Sequence, residues 1–276
     1  MGDLWEHGPG DGADDGGAEE TVQRGVLVTG ASGGVGEAVA RAFAALGDRV
    51  AVHYVHDEGR AEEVRASLPG EGHRVVQADL ADAEAVRGMV DEAWVCLRGI
   101  DVVVNNAGVS PAHRLVAVSY RQWQRAWADT LAVNLVGAAN LAFCTARLMI
   151  DRKAGGRIVN VSCLGAFRGE PDMPAYSASK AGLNALTQSL AVALAPHGIA
   201  VSAVAPGFVA SASTSQLLAG PEGDAGPEGE PLRAQSPAGR AARPEEVADA
   251  VVYLASAQAE WASGAVLDLN GASYLR

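Results

Sequence analysis

A tyrosine and a lysine are spaced so that they could carry out acid–base chemistry together. Tyr176 and Lys180 stand four residues apart in the stretch Tyr-Ser-Ala-Ser-Lys, and Pro174 precedes them. On a helix, that spacing places both side chains on one face, one turn apart, and proline suits a helix's first turn. A nearby ammonium favours the phenolate, so the sequence predicts a pKa for Tyr176 below its reference of about 10. Such a phenol could give or take a proton during catalysis.

A glycine-rich turn near the start of the chain predicts a nucleotide site. The apolar run 26–28 ends in the loop Thr-Gly-Ala-Ser-Gly-Gly-Val-Gly at 29–36, and a helix-period segment, 35–46, follows. Gly30, Gly34 and Gly36 permit a tight turn and let a pyrophosphate approach the backbone, while the helix N-terminus offers free N–H groups to the anion. The order strand, glycine loop, helix favours nucleotide binding over a plain tight turn.

The elements that position these residues alternate along the chain between strand and helix. The strand-like segments are 26–28, 49–54, 74–77, 100–104, 156–161, 199–205 and 265–269, and the helix-like segments are 35–46, 60–68, 83–97, 119–152, 174–195 and 244–257. Repeated β–α alternation implies parallel strands with right-handed crossovers. We therefore predict an α/β fold: a Rossmann-like, doubly wound, seven-stranded parallel sheet between two helical layers.

Several polar residues follow strands of this predicted sheet. Asp79 comes after the third strand, the turn at 105–108 after the fourth and Ser162 after the fifth. Carboxyl ends of parallel strands form the ligand crevice, so we expect these residues to face the glycine loop. Asn134 lies inside the long helix between two apolar residues, either as an amide bonded to backbone or as a functional group. Cys163 has no paired base in the sequence and is interpreted as a small packing residue.

Bulk composition narrows the class of protein. The chain has 276 residues, is 49% hydrophobic and carries a net charge of −12, which disfavours nucleic acid as a partner. No apolar run approaches the roughly 20 residues that span a membrane. The scattered cysteines Cys96, Cys144 and Cys163 argue for a reducing, cytoplasmic compartment. The six histidines show no metal-ligand spacing, so we expect no metal.

Two segments differ in composition from the rest. Residues 1–21 hold seven acidic residues among glycines, with no lysine or arginine, and are predicted to be a disordered tail. Residues 211–237 are polar and rich in glycine and proline, and are predicted to be a mobile flap over the crevice. The remaining chain, 22–276, is predicted to be a single dinucleotide-binding catalytic domain.

Taken together, the motifs resemble those of the short-chain dehydrogenase/reductases, in particular the single-domain subgroup that includes the 3-oxoacyl-carrier-protein reductases. The resemblance spans about residues 22–276. Its matching stretches, in order, are 29–36, 78–80, 105–108, Asn134, Ser162, 176–180, 206–207 and 270–271. Each stretch alone is weak, but all of them in this order and spacing are specific to the family.

The resemblance implies a catalytic set made of Asn134, Ser162, Tyr176 and Lys180. Tyr176 would protonate a carbonyl oxygen as a nicotinamide hydride reaches its carbon. Lys180 would lower the pKa of the tyrosine and bind the nicotinamide ribose. Ser162 would hydrogen-bond the substrate oxygen, and Asn134 would hold a water that connects Lys180 to solvent.

The resemblance also implies a cofactor-binding set, with Asp79 at the adenine and Asn106 on the adenosine side. Ser211 stands where the family often has a threonine that touches the nicotinamide carboxamide. The full set is Gly30, Ser32, Gly33, Gly34, Val35, Gly36, Tyr54, His56, Asp79, Leu80, Asn106, Ala107, Gly108, Tyr176, Lys180, Pro206, Gly207, Val209 and Ser211.

The end of the second strand decides between the two nicotinamide cofactors. An acid there accepts from a free ribose 2′-OH, whereas basic residues accommodate a 2′-phosphate. Tyr54 holds the usual acid position, and the pair His53 and Tyr54 resembles strand ends of NADPH-dependent relatives, which favours NADP(H) over NAD(H). His56 and Asp57 follow, where many of those relatives carry an arginine, and Asp57 is close enough to act as the acid. Gly33 stands where many NADPH-dependent relatives carry arginine or lysine.

The sequence thus predicts an NAD(P)(H)-dependent oxidoreductase, most simply a ketoreductase for a 3-oxoacyl or polyketide-like substrate. The alternatives are a secondary-alcohol dehydrogenase that works in the oxidative direction and a dinucleotide-binding sensor without chemistry. The expected partners are a small-molecule ketone or alcohol and further copies of the chain, because relatives are commonly homotetramers.

Overall fold

The fold is built on one parallel sheet. It is described here from a computed structural model that covers residues 23–210 and 236–276. Within those ranges, seven strands lie in the order β3-β2-β1-β4-β5-β6-β7, with every pair parallel. The strands are β1 Gly25–Val28, β2 Arg49–Tyr54, β3 Arg74–Gln77, β4 Val102–Asn105, β5 Gly156–Val161, β6 Ile199–Pro206 and β7 Val266–Leu269. The predicted sheet is therefore confirmed, with strand ends within two residues of expectation.

Helices cover both faces of the sheet, which confirms the three-layer prediction. They are α1 Gly34–Ala45, α2 Glu58–Ser67, α3 Ala83–Cys96, α4 Tyr120–Leu131, α5 Ala138–Arg152, α6 Gly165–Arg168, α7 Pro174–Leu194 and α8 Pro244–Leu254. The short helix α6 was not expected from the sequence. The predicted tail 1–21, and residues 211–235 of the predicted flap, lie outside the described residues.

The two sides of the sheet carry separate apolar clusters. On one side, Phe43 of α1 and Val247 of α8 pack on alternate residues of the central strands. On the other, Met89 of α3 and Leu141 of α5 pack on the intervening residues. Because both faces are covered, the central strands are continuous apolar runs, such as the fully buried Val26, Leu27 and Val28.

The strand order reverses direction at β1, and this places two predicted loops side by side. β1 pairs with β2 on one side and β4 on the other, with Val28 opposite Val104. The glycine loop after β1 therefore lies next to the turn at 105–108 after β4. Ligands of open α/β sheets bind in the crevice at such a switch point.

The long helix predicted over 119–152 is present but is not uniform. It begins after Ser119, which forms a capping box with Gln122, and it contains a π-helical segment, Ala132–Gly137, between α4 and α5. Within the described residues, Tyr120–Arg152 is the one helix long and apolar enough to cross a membrane. Core helices of soluble proteins meet the same criterion, and 44% of its most apolar window is buried inside the protein.

We expect Gly36→Ala to destabilise the protein and Gly33→Ala to leave it nearly unchanged. A Cβ at Gly36 would stand 2.2 Å from the Gly30 carbonyl oxygen and 2.6 Å from Asn106 Nδ2, whereas one at Gly33 would meet nothing within 4 Å. Overpacking of this kind costs about 1–3 kcal/mol. Urea unfolding of the two variants checks this, and equal midpoints would contradict it.

Candidate active site

The glycine loop is shaped by its glycines and braced by neighbours. Gly30 and Gly34 have φ of 63° and 57°, in the left-handed region that favours glycine. Asn106 Nδ2 donates to the backbone oxygens of Thr29 (2.9 Å) and Gly30 (3.2 Å). Asn106 was expected on the adenosine side of a cofactor, and the structure shows that its amide also holds the loop in place.

The sequence analysis gave no bracing role to Thr29 or His53, which both support the glycine loop. Both are fully buried. Thr29 Oγ1 accepts from the backbone N–H groups of Asn106 (3.0 Å) and Ala107 (3.1 Å). The Gly30 N–H donates to His53 Nδ1 (2.9 Å), and His53 Nε2 donates to the Ala78 carbonyl (3.0 Å). Burial lowers the pKa of His53, which keeps the ring neutral in this bridge. A polar residue within an otherwise apolar buried strand was the available signal.

The start of helix α1 is open to an anion. Gly33 precedes it as N-cap, and no side chain caps the helix. The first N–H groups of a helix have no partner within it, so those at this end remain available. The predicted residues Ser32, Gly33, Gly34 and Val35 are half-buried here, while Gly36 is buried against the loop.

The charged side chains just after β2 already have partners within the protein: one caps a helix and another forms an ion pair. Tyr54 is half-buried and His56 is exposed. The Asp57 carboxylate accepts from the Arg60 N–H (2.9 Å) as the N-cap of α2. The Arg60 guanidinium pairs with Glu37 of α1 (2.7 Å). Asp57 is therefore used locally to start a helix, which the sequence analysis did not anticipate.

After β3, the backbone turns at Asp79 and Leu80. The Asp79 carboxylate accepts from the Ala81 N–H (2.9 Å), and its side chain is exposed at the rim of the crevice. Leu80 is buried, and its carbonyl lies against Gly137, where a Cβ would come within 2.4 Å. Asp79 is thus available to solvent, whereas Leu80 anchors the turn against the long helix.

Lys180 is buried with its ammonium directed at the end of β5. It is 3% exposed, and Nζ donates to the Val161 carbonyl at 2.6 Å. Nζ also lies 5.7 Å from the centroid of the Tyr176 ring, which confirms that α7 brings the two together. Burial lowers the pKa of Lys180 to about 8. The ammonium therefore begins to lose its proton within the accessible pH range.

The predicted fall in the Tyr176 pKa is wrong for the protein as it stands. Burial raises the pKa of this phenol, and the hydrogen bond to Cys163 and the charge of Glu170 act in the same direction. Desolvation is the largest cause of this rise. At neutral pH the phenol is thus protonated and is a proton donor.

The residue next to the Tyr176 hydroxyl is Cys163. Interaction with the phenol acts to lower the pKa of the Cys163 thiol, and the same interaction acts to raise the pKa of Tyr176. Ser162 is buried, and its Oγ donates instead to the Lys180 backbone carbonyl at 3.4 Å. Cys163, which the sequence analysis interpreted as a packing residue, lines the cavity with Tyr176, and Ser162 bonds the helix backbone.

Asn134 lies in the π-helical segment and clamps the loop after β4. Its Oδ1 accepts from the Val109 N–H (2.8 Å), while Nδ2 donates to the Val109 carbonyl (2.9 Å) and to Ser179 Oγ (3.1 Å). A Cβ on Gly108 would lie 3.2 Å from Asn134 Oδ1 and 3.6 Å from Lys180 Nζ, so these two atoms flank the same glycine. The amide is thus held by backbone and adjoins the site, and π-helical turns are frequent at functional sites.

A third missed residue, His113, fixes the start of the helix that carries Tyr176. It is 1% exposed, and its ring packs edge-on against Trp123. Nδ1 donates to the Pro111 carbonyl (2.7 Å), and Nε2 accepts from the Ala175 N–H (3.1 Å). The ring therefore ties the loop after β4 to the first turn of α7.

An open cavity of about 890 Å³ lies over Cys163 and Tyr176. Its walls include residues of the 164–173 segment, among them Arg168 and Met173, together with Phe208. Residues 270–276 also line it, which the sequence analysis did not foresee.

The loop after β6 forms another part of the cavity wall. Pro206 and Gly207 line the cavity, and a Cβ on Gly207 would stand 3.0 Å from Asn270 Cα. Val209 pairs with Ala242 in a single parallel bridge. Ser211, the expected carboxamide contact, lies outside the described residues.

Comparison with known proteins places the chain in a family. The profile of a family described as enoyl-(acyl carrier protein) reductase matches residues 30–271. An uncharacterized short-chain type dehydrogenase/reductase of Sinorhizobium fredii is 41% identical over 250 residues, which are 89% of this chain and 43% of that protein. L-rhamnose 1-dehydrogenase (NAD(P)(+)) of a Sphingomonas species is 36% identical over 91% of this chain and 96% of its own length. 3-oxoacyl-[acyl-carrier-protein] reductase of Staphylococcus aureus is 34% identical over 92% and 99%.

The chain belongs to the short-chain dehydrogenase/reductase family. It is an oxidoreductase of the class that acts on CH–OH and C=O groups, and the family uses the nicotinamide cofactors NAD(H) and NADP(H). Across residues 23–210 and 236–276, no three histidine, cysteine or acidic side chains lie together as a metal-binding group.

We expect Lys180→Met to change the pH dependence of stability. Because folding lowers the pKa of Lys180 from 10.5 to about 8, the unfolded chain binds more protons between these values. Burial of the ammonium therefore opposes folding fully below pH 8, and this cost declines as the pH rises toward 10.5. The free energy of unfolding of Lys180→Met, relative to the wild type, should be higher at pH 7 than at pH 10. Urea titrations check this, and a pH-independent difference would contradict it.

Proposed function

We propose that the protein is an NADPH-dependent ketoreductase that reduces a ketone to a secondary alcohol, with Tyr176 as the proton donor. The observation that carries the proposal is a half-buried, protonated phenol in the wall of an open cavity, one helical turn from a buried ammonium. A protonated phenol suits reduction, because the alkoxide that forms when a carbonyl accepts a hydride needs a proton.

The residues at the switch point fit a dinucleotide. Gly36 lets the glycine loop pack closely against the first turn of α1, and no side chain caps the start of that helix. Thr29 and Asn106 keep this loop in shape without using the helix N–H groups. These N–H groups would hold the pyrophosphate. When bound, a reduced nicotinamide supplies the hydride.

Tyr176 then supplies the proton for the substrate oxygen, and Lys180 stabilises the negative charge left on the tyrosine. The Tyr176 O–H bond breaks as its proton passes to the substrate oxygen, which leaves a phenolate beside Lys180. A phenolate and an ammonium 5.7 Å from its ring attract each other, the more so because the ammonium is buried. Lys180 thus favours the charge that forms on the tyrosine during turnover rather than before it. Asn134 and His113 fix the position of the loop after β4 relative to α7 through their hydrogen bonds.

The cavity suits a medium-sized substrate with both polar and apolar parts. Phe208 and Met173 contribute apolar wall, and Arg168 and Arg240 contribute charge. Both arginines are ion-paired, to Glu170 and Glu246 respectively. We therefore favour a 3-oxoacyl or polyketide-like ketone, in line with the relative named 3-oxoacyl-[acyl-carrier-protein] reductase.

A second candidate is a secondary-alcohol dehydrogenase that works in the oxidative direction. The relative named L-rhamnose 1-dehydrogenase favours it. Oxidation needs a base, and the raised pKa of Tyr176 opposes that role near neutral pH. A dinucleotide-binding sensor without chemistry is the weakest candidate, because both Tyr176 and Lys180 are present and adjacent.

We further propose a cytoplasmic homo-oligomer that binds neither nucleic acid nor membrane. Relatives commonly assemble as tetramers, and the long helices carry exposed apolar side chains, namely Val136 (52%), Phe143 (67%) and Val192 (80%). Such side chains are candidates for burial between copies of the chain.

We expect Tyr176→Phe to abolish ketone reduction while NADPH still binds. Phenylalanine keeps the ring on α7 but has no proton to give. Turnover of a 3-oxoacyl thioester should fall by about 10²-fold or more, the usual contribution of general acid catalysis. Steady-state kinetics and nicotinamide fluorescence titration check both halves. Turnover close to wild type in this variant would overturn the assignment.

We expect the wild type to bind NADPH more tightly than NADH, and Arg60 to contribute. Asp57 is engaged as a helix cap, and the Arg60 guanidinium, on the first turn of α2, lies against Glu37 of α1. Arg60→Ala should weaken NADPH by about tenfold, the value of one charge-assisted hydrogen bond, and leave NADH within about twofold. Arg65→Ala is the matched control, because Arg65 lies on the same helix and pairs with Glu62. Tighter NADH binding by the wild type would contradict the proposed preference.

A further inference from the structure

We propose that the Cys163 thiol, and not the Ser162 hydroxyl, is the second side chain that contacts the substrate's carbonyl oxygen. This inference rests on the proposed ketoreductase function and names a residue of the same site. Its premise is geometric. The substrate's carbonyl oxygen must lie within hydrogen-bond distance of the Tyr176 hydroxyl, so a side chain next to that hydroxyl is well placed to donate a second hydrogen bond to the same oxygen.

The first observation is the contact itself. Cys163 and Tyr176 line the same cavity, and hydrogen bonding between them lowers the pKa of the thiol and raises that of the phenol, so the sulfur lies beside the proton that leaves. When a carbonyl oxygen replaces the sulfur as the acceptor of the Tyr176 proton, the thiol is left next to that oxygen with its own S–H free to donate. Stabilisation of developing negative charge requires such a donor aimed at the oxygen.

The second observation is the direction of Ser162. Its side chain is 3% exposed, and its Oγ donates to the Lys180 backbone carbonyl. Successive side chains of an extended backbone point to opposite sides. Because Ser162 and Cys163 follow directly after β5, one of them faces α7 while the other faces the crevice. Ser162 therefore helps to hold the helix, and Cys163 faces the reaction.

The third observation is where the two residues stand relative to the cavity and to Lys180. Cys163 lines the cavity together with Tyr176, and Ser162 is absent from its described walls. The Lys180 ammonium acts on Cys163 and lowers the pKa of the thiol, against burial that raises it. Cys163, Tyr176 and Lys180 are thus electrostatically linked.

This arrangement has a chemical consequence. A thiol is a weaker hydrogen-bond donor than a hydroxyl. Cys163 should therefore stabilise the developing charge less than a serine at the same position would. The substitution Cys163→Ser therefore tests whether Cys163 donates to the substrate oxygen. It exchanges the thiol for a stronger donor, a hydroxyl, with little change in side-chain size.

The first experiment compares kcat/KM for ketone reduction in the wild type, Cys163→Ala, Cys163→Ser and Ser162→Ala. Cys163→Ala should lose about tenfold, less than the loss of a strong oxyanion donor, with the dissociation constant for NADPH unchanged. Cys163→Ser should equal or exceed the wild type, and Ser162→Ala should cost less than Cys163→Ala. A larger loss in Ser162→Ala, or no loss in Cys163→Ala, would overturn the proposal.

The second experiment needs no turnover and so separates this inference from the proposed function. Peptide mass spectrometry follows the rate at which iodoacetamide alkylates Cys163 as a function of pH. In Tyr176→Phe the thiolate loses its donor, so the pKa read from the Cys163 profile should rise, while the profiles of Cys96 and Cys144 stay unchanged as internal controls. Superimposable Cys163 profiles in the two proteins would disprove the contact. A shifted profile in a protein that reduces no ketone would instead sink the ketoreductase and leave the contact standing.

Discussion

The site depends on one buried charge, the Lys180 ammonium. It is almost fully removed from solvent, and Nζ is held by the carbonyl of Val161 at the end of β5. A charge in such a place is costly unless it is hydrogen-bonded, so its surroundings must supply oxygen atoms. The Val161 carbonyl at the end of β5 and the Asn134 amide beside Gly108 lie close to this ammonium. Desolvation lowers the pKa of Lys180 and raises that of Tyr176, and it leaves a protonated phenol in the cavity wall with the ammonium buried behind it.

A second constraint is the crowding at the switch point of the sheet. Gly30, Gly36 and Asn106 approach one another so closely that no Cβ fits at Gly36. Thr29 and His53 supply the hydrogen bonds that this packing would otherwise leave unmade. The loop is therefore rigid before any ligand arrives, which suits a site whose donors are backbone N–H groups. The bridge from Gly30 through His53 to Ala78 also connects three neighbouring strand ends.

The loop after β4 connects the glycine loop to the helix that carries Tyr176 and Lys180. Its first residues brace the glycine loop, and its later residues are clamped by Asn134 and His113. His113 reaches the first turn of α7, and Asn134 reaches Ser179 on the same helix. Tyr176 and Lys180 are thus positioned relative to the cofactor crevice by a loop rather than by α7 alone. Asn134 lies in the π-helical segment, and from there its amide bonds both Val109 of this loop and Ser179 of α7.

The sequence by itself determined the sheet, its helices and the pair Tyr176 and Lys180, because these depend on local periodicity and on spacing within one helix. It also located the glycine loop, whose strand and helix are adjacent in the chain. Only the tertiary structure decided the direction of the pKa shift of Tyr176, since burial depends on elements distant in sequence. It likewise decided which of Ser162 and Cys163 faces Tyr176, because the side chains of two consecutive residues at a strand end differ only in orientation. His53, Thr29 and His113 acquire roles through contacts with residues that are 23 or more positions away, such as Gly30, Asn106 and Ala175, and no local pattern reports these.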